Sequence, residues 1–128
     1  MMVRQGDADG TIGGAVATTG ETVRTALQIV GMAPDSKMVS SFFLMLLAAP
    51  YHRPVVFADC ALVREPNAAQ LAEIAISSAR VVRVFGFNPK VAFLSHSTFG
   101  QPLTSRTKHI KKAVEILKEK NVDFEFDG

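Results

Sequence analysis

Arg24 follows closely on Thr18, Thr19 and Thr22 in a stretch with helical spacing. A guanidinium can grip a phosphate bidentately while hydroxyls and the free amides of a helix start complete an anion cradle. A second group of polar residues falls at the ends of apolar runs: Asp59 and Cys60 in Val55 to Leu62, and Ser95, His96, Ser97 and Thr98 after Val91 to Leu94. In α/β sheets, ligands bind off the carboxyl ends of the strands. A carboxylate in an apolar strand is costly to bury alone, so Asp59 either accepts strong hydrogen bonds or opens on a cleft. Cys60 reads as a small buried hydrophobe unless a base stands beside it. Ser95, His96 and Ser97 do not make a nucleophile and base, because neighbours on a strand point to opposite faces. His52, His96 and His109 lack metal-ligand spacing, and no metal site is predicted.

The elements that must hold these residues follow from periodicity. Gly6 to Gly14 is a glycine-rich turn region without the lysine pattern of a phosphate loop. Val23, Ala26, Leu27 and Val30 define a helix capped by Thr18 or Thr19 and stopped by Gly31. Phe42 to Leu47 is continuously apolar, as a strand buried on both faces would be, and the Pro50 to Pro54 break makes it a hairpin with Val55 to Leu62. A helix is predicted from about Asn67 to Phe85, with Asn67 and Gln70 at capping-box spacing. Its inward stripe is expected at Leu71, Ile74, Ser78, Val81 or Val82, and Phe85. A buried strand at Val91 to Ser95, a loop through Gly100 and Pro102, and a basic helix from about Ser105 to Lys120 follow, the helix turning Ile110, Ala113, Val114 and Leu117 inward. A last short strand runs from Val122 to Phe126. The expected fold is α/β, three layers α/β/α around a mixed, largely parallel sheet.

Composition sets the surroundings. The 128 residues are 48% hydrophobic and 20% charged, enough for one folded domain. Fourteen basic against twelve acidic residues leave a charge of +2, which argues against nucleic acid or a membrane surface as partner. Seven of the fourteen cations lie between Lys90 and Lys120, most on the face that the basic helix gives to solvent. One cysteine rules out an intrachain disulfide and suits a reducing cytoplasm, where the protein is expected to reside. No apolar run approaches the roughly 20 residues of a membrane span.

Several stretches taken together carry a resemblance. Gly6-Asp7-Ala8-Asp9-Gly10, Gly14-Ala15-Val16, Thr18-Thr19, Thr22-Val23-Arg24, Phe57-Ala58-Asp59-Cys60-Ala61, Pro66-Asn67-Ala68 and Phe85-Gly86-Phe87-Asn88-Pro89 occur in the order and spacing of the central part of phosphate acetyl/butyryl transferases. The sequence resembles this phosphotransacetylase family over nearly its whole length. Leu94 to Gly100 and the ending Val122 to Gly128 lean toward the phosphotransacetylase-like C-terminal domains of bacterial NADP-dependent malic enzymes, while the helix around Thr22 to Ile29 leans toward true transacetylases.

The resemblance implies a phosphotransacetylase-like segment over 1–128, with residues 1–35 near an interdomain cleft and 36–128 forming the sheet portion. It implies transfer of an acetyl group between CoA and phosphate, with no cofactor, and a homo-oligomer. Arg24, Thr18 and Thr19 match positions at the phosphate or CoA end of the cleft, while Asp59, Cys60 and Ser95 fall near the active site and Cys60 is not the nucleophile. The family's serine-arginine pair and its aspartate belong to a later segment. The chain is therefore expected to be a fragment with part of the active site missing. The alternative is a non-catalytic regulatory or oligomerisation module of a malic enzyme that senses acetyl-CoA or acyl phosphate.

Overall fold

The computed structural model describes residues 1–96 and 103–128. The predicted loop residues Ser97, Thr98, Gly100 and Pro102 lie outside the described residues. The chain divides into two compact units, Met1–Val39 and Ser40–Gly128.

The first unit holds α1 (Met2–Gln5) and α2 (Thr19–Ile29). The short α1 escaped sequence reading, and Gly6 closes it at φ 83°, where a side chain is disfavoured. Arg4 reaches the second helix, donating from Nη1 to the Ile29 carbonyl at 3.1 Å. Gly14, at φ 91°, brings the glycine-rich turn against α2, and a Cβ there would lie 3.3 Å from the Thr22 hydroxyl.

The second unit runs β1 (Phe42–Leu46), β2 (Pro54–Ala58), α3 (Ala68–Val84), β3 (Lys90–Ala92), α4 (Ser105–Glu119) and β4 (Glu125–Asp127). Strands β1 and β2 form the expected antiparallel hairpin, Leu44 opposite Val56. Strands β3 and β4 pair in parallel, Val91 opposite Phe126. The α/β class holds, but among the described residues the strands form two separate two-stranded sheets, one antiparallel and one parallel. The expected single, largely parallel sheet is thus seen in two pieces.

The core lies where α3 meets α4. Ala72, Ala75 and Leu117 are buried, with Val91, Phe93, Phe124 and Phe126 packed against them from the strands and their flanks. The helix contact explains a correction to α3. Its buried residues are Ala68, Ala72, Ile74, Ala75 and Ala79; of the stripe predicted at Leu71, Ile74, Ser78, Val81 or Val82, and Phe85, Ile74 is buried, Phe85 is exposed and the others are half-buried. Helix α3 carries more than one apolar stripe, so periodicity could not choose a face; the alanines win because small residues let a second helix approach. The reading of α4 was closer, with Ala113 and Leu117 fully buried and Ile110 and Val114 half-buried. Lys120 crosses to Glu73 at 3.0 Å and joins the two helices at their edge.

The expectation of strands buried on both faces is overturned. Every residue of β1 is exposed, Leu46 at 80% and Phe43 at 56%, and β2 is half-buried to exposed. Helix α3 contacts β2, while the side chains of β1 stay exposed. The strand predicted at Val91 to Ser95 is shorter, Lys90–Ala92, and only Val91 is half-buried.

Candidate active site

Three of the residues singled out by sequence lie on α2. Thr18 is its N-cap: its hydroxyl accepts from the Glu21 amide at 3.3 Å, and Glu21 answers with a carboxylate that accepts from the Thr18 amide at 2.8 Å and hydroxyl at 2.7 Å. This reciprocal capping box was legible as Thr18-x-x-Glu21, yet Glu21 was missed. The Thr18 hydroxyl donates first, then the Thr18 amide, and the Glu21 carboxyl is held below its ordinary range. Thr19 is the first helical residue and is exposed.

Glu21 already sets a negative charge among the orphan amides of the helix start, the place a bound phosphate would take. Arg24 sits six residues beyond Thr18, about 9 Å along the helix axis. Its guanidinium is exposed and has no hydrogen-bond or ion-pair partner among the described residues. It is a cation available to an anionic ligand.

Asp59 and Cys60 belong to the second unit, where β2 ends and β1 begins. Asp59 accepts the Ser41 amide on Oδ2 at 2.8 Å and the Ser41 hydroxyl on Oδ1 at 2.9 Å. The same Oδ1 gathers the amides of Ala61 at 2.8 Å, Leu62 at 2.8 Å and Val63 at 3.2 Å. Burial alone pushes the Asp59 carboxyl up, and the amides of Ser41, Leu62, Ala61 and Val63 outweigh it and hold the group below its ordinary 3.8. Of the two possibilities raised by the sequence, a strongly hydrogen-bonded carboxylate is the one observed.

The Cys60 thiol donates to the Ser41 hydroxyl oxygen at 3.3 Å, which makes it a weak donor in this network. Ser41 was not singled out by sequence, since nothing in a Ser-Ser pair before an apolar run announces that strand pairing brings it to Asp59. Ser95 is exposed just past β3. The second unit therefore gathers Asp59, Cys60 and Ser41 into one knot, and the first unit presents Thr18, Thr19 and Arg24 on one helix.

The first unit thus carries a hydroxyl-capped helix with an exposed arginine, and the second is an α/β unit whose β2 ends on an anchored aspartate. Comparison with known proteins gives the family. The Phosphate acetyl/butaryl transferase family model matches residues 1–128, and the chain belongs to that family. It is 48% identical to the phosphate acetyltransferase of Paracoccus denitrificans over the whole chain and 42% of that protein. It is 43% identical to that of Acetivibrio thermocellus, over the whole chain and 40% of that protein. Among solved structures, a phosphotransacetylase from Streptococcus pyogenes superposes with a TM-score of 0.85 at 39% identity, covering 99% of this chain and 38% of that one. EutD phosphotransacetylase from Staphylococcus aureus gives 0.75 at 37%, covering 99% and 39%. The chain thus spans about two fifths of the length of these relatives.

Proposed function

We propose that these residues serve acyl transfer between CoA and inorganic phosphate, the reaction in which acetyl-CoA and phosphate give acetyl phosphate and CoA. The observation that carries the reading is the family match over all 128 residues. A phosphate oxygen attacks the acetyl carbonyl carbon, the C–S bond breaks, and the CoA sulfur leaves as a thiolate that takes up a proton. Such a step is helped chiefly by holding the two reactants together and by cations placed where negative charge gathers.

Arg24 supplies such a cation in this reading, binding the phosphate or the phosphate groups of CoA, with Thr18 and Thr19 lining the same approach. Asp59 has a positioning role, because its carboxylate is fully engaged in shaping the Ser41 to Val63 turn. Cys60 takes no covalent part, and Ser95 stands at the carboxyl end of β3, where ligands of α/β sheets approach.

Calorimetric titration of this chain with CoA and with inorganic phosphate tests the assignment. Binding weakened about tenfold in Arg24→Ala, with unchanged folding, is expected for loss of one charge-assisted contact. Binding indifferent to the substitution removes Arg24 from the site. Tight CoA binding by a chain that never supports turnover in a full-length context favours the sensory module of a malic enzyme instead.

A further inference from the structure

Helix α2 is held at two points by the segment that precedes it. Near its start Gly14 lies so close that a Cβ there would come within 3.3 Å of the Thr22 hydroxyl. At its end Arg4 of α1 donates from Nη1 to the Ile29 carbonyl at 3.1 Å, across 25 residues of sequence. That carbonyl is one of the last four of the helix, which find no donor within it. The last turn of α2 carries no basic residue of its own, so the Arg4 charge also meets the negative end of the helix dipole.

The two points share one face. Thr22 and Ile29 are about two turns apart, about 10 Å along the axis. Both are half-buried, whereas most of α2 is exposed. Arg24 comes two residues after Thr22, more than half a turn around the helix, and so stands on the opposite, exposed side. A helix fastened once can pivot about that point, but one fastened twice at this spacing has a fixed axis. Along that axis Arg24 lies between the two fastenings. The direction in which its side chain leaves the helix therefore depends on both, and a cation that must meet a reacting phosphate tolerates little misplacement.

We propose that Arg4 is a positioning residue for anion binding: its hydrogen bond to Ile29 fixes the axis of α2 and so sets where the Arg24 guanidinium meets the ligand. The inference rests on the reading of Arg24 as the anion-binding cation. Arg4 serves the helix end, on the face away from Arg24, and its effect reaches the ligand through Arg24 alone.

The test is a double-mutant cycle on this chain. CoA binding is read by calorimetry for the native chain, Arg4→Ala, Arg24→Ala and the double variant. Arg4→Ala is expected to weaken binding about threefold to fivefold in the native background, and to change nothing once residue 24 is alanine. Arg4→Lys, which keeps the charge and a donor, should bind within about twofold of the native chain. Equal weakening in both backgrounds would make Arg4 a general stabiliser of the first unit and overturn the proposal. So would native affinity in Arg4→Ala, or a lysine variant as weak as the alanine one. A native chain that binds no CoA, or an Arg24→Ala variant that binds it as well as the native chain, sinks the functional reading itself and the positioning role with it.

Discussion

The Asp59 carboxylate holds Ser41 twice, by its amide at 2.8 Å and by its hydroxyl at 2.9 Å, and so ties the start of β1 to the end of β2. The same oxygen that takes the hydroxyl also accepts three successive amides, Ala61 to Val63. Removing the carboxylate strips several partly buried donors at once. Asp59→Ala is expected to cost about 2–3 kcal/mol and Ser41→Ala about 1 kcal/mol in chemical denaturation. Values near zero for both would show that the turn holds itself without the carboxylate.

The pH dependence follows from the lowered Asp59 carboxyl. A group whose folded value lies below its unfolded value contributes stability that is fully present above the unfolded value and is lost as pH falls through the folded one. Its unfolded value is near the ordinary 3.8. The difference in stability between the native chain and Asp59→Asn should therefore be constant at neutral pH and shrink as pH falls below about 4. Denaturation curves at stepped pH measure it, and a gap that widens on acidification would have the wrong sign.

Packing of α3 on α4 rests on a large side chain set against small ones, fully buried Leu117 among Ala72 and Ala75. Leu117→Ala is expected to lose about 2–5 kcal/mol through the cavity it leaves. Ala72→Leu should lose about 1–3 kcal/mol by forcing the helices apart. Thermal unfolding followed by circular dichroism would show both, and tolerance of Ala72→Leu would mean that the helix contact is looser than the burial of Ala72 implies.

What the sequence disclosed and what it hid divide along the range of the interactions. Local rules placed the caps: Asn67 accepts from the Gln70 amide at 2.9 Å and Gln70 answers at 3.0 Å, as their spacing required. The β1–β2 hairpin followed from two apolar runs and a proline-bearing break. Burial was harder to read. A wholly apolar β1 announces an interior strand, but Phe43 and Leu46 stand exposed. The periodicity of α3 contained two apolar stripes, and only packing shows that the alanine one faces α4. Ser41 became visible through strand pairing across 18 residues, and the answering role of Glu21 at Thr18 through the capping hydrogen bonds.

The most direct test of the functional reading replaces the matching two fifths of the Paracoccus denitrificans phosphate acetyltransferase with residues 1–128 of this chain and measures acetyl phosphate formation from acetyl-CoA and phosphate. The chimera is expected to turn over, and its Arg24→Ala version to lose about 10²-fold or more in kcat/KM, the scale of one charged contact to the reacting groups. A folded chimera without activity, or one whose activity ignores Arg24, would contradict the account.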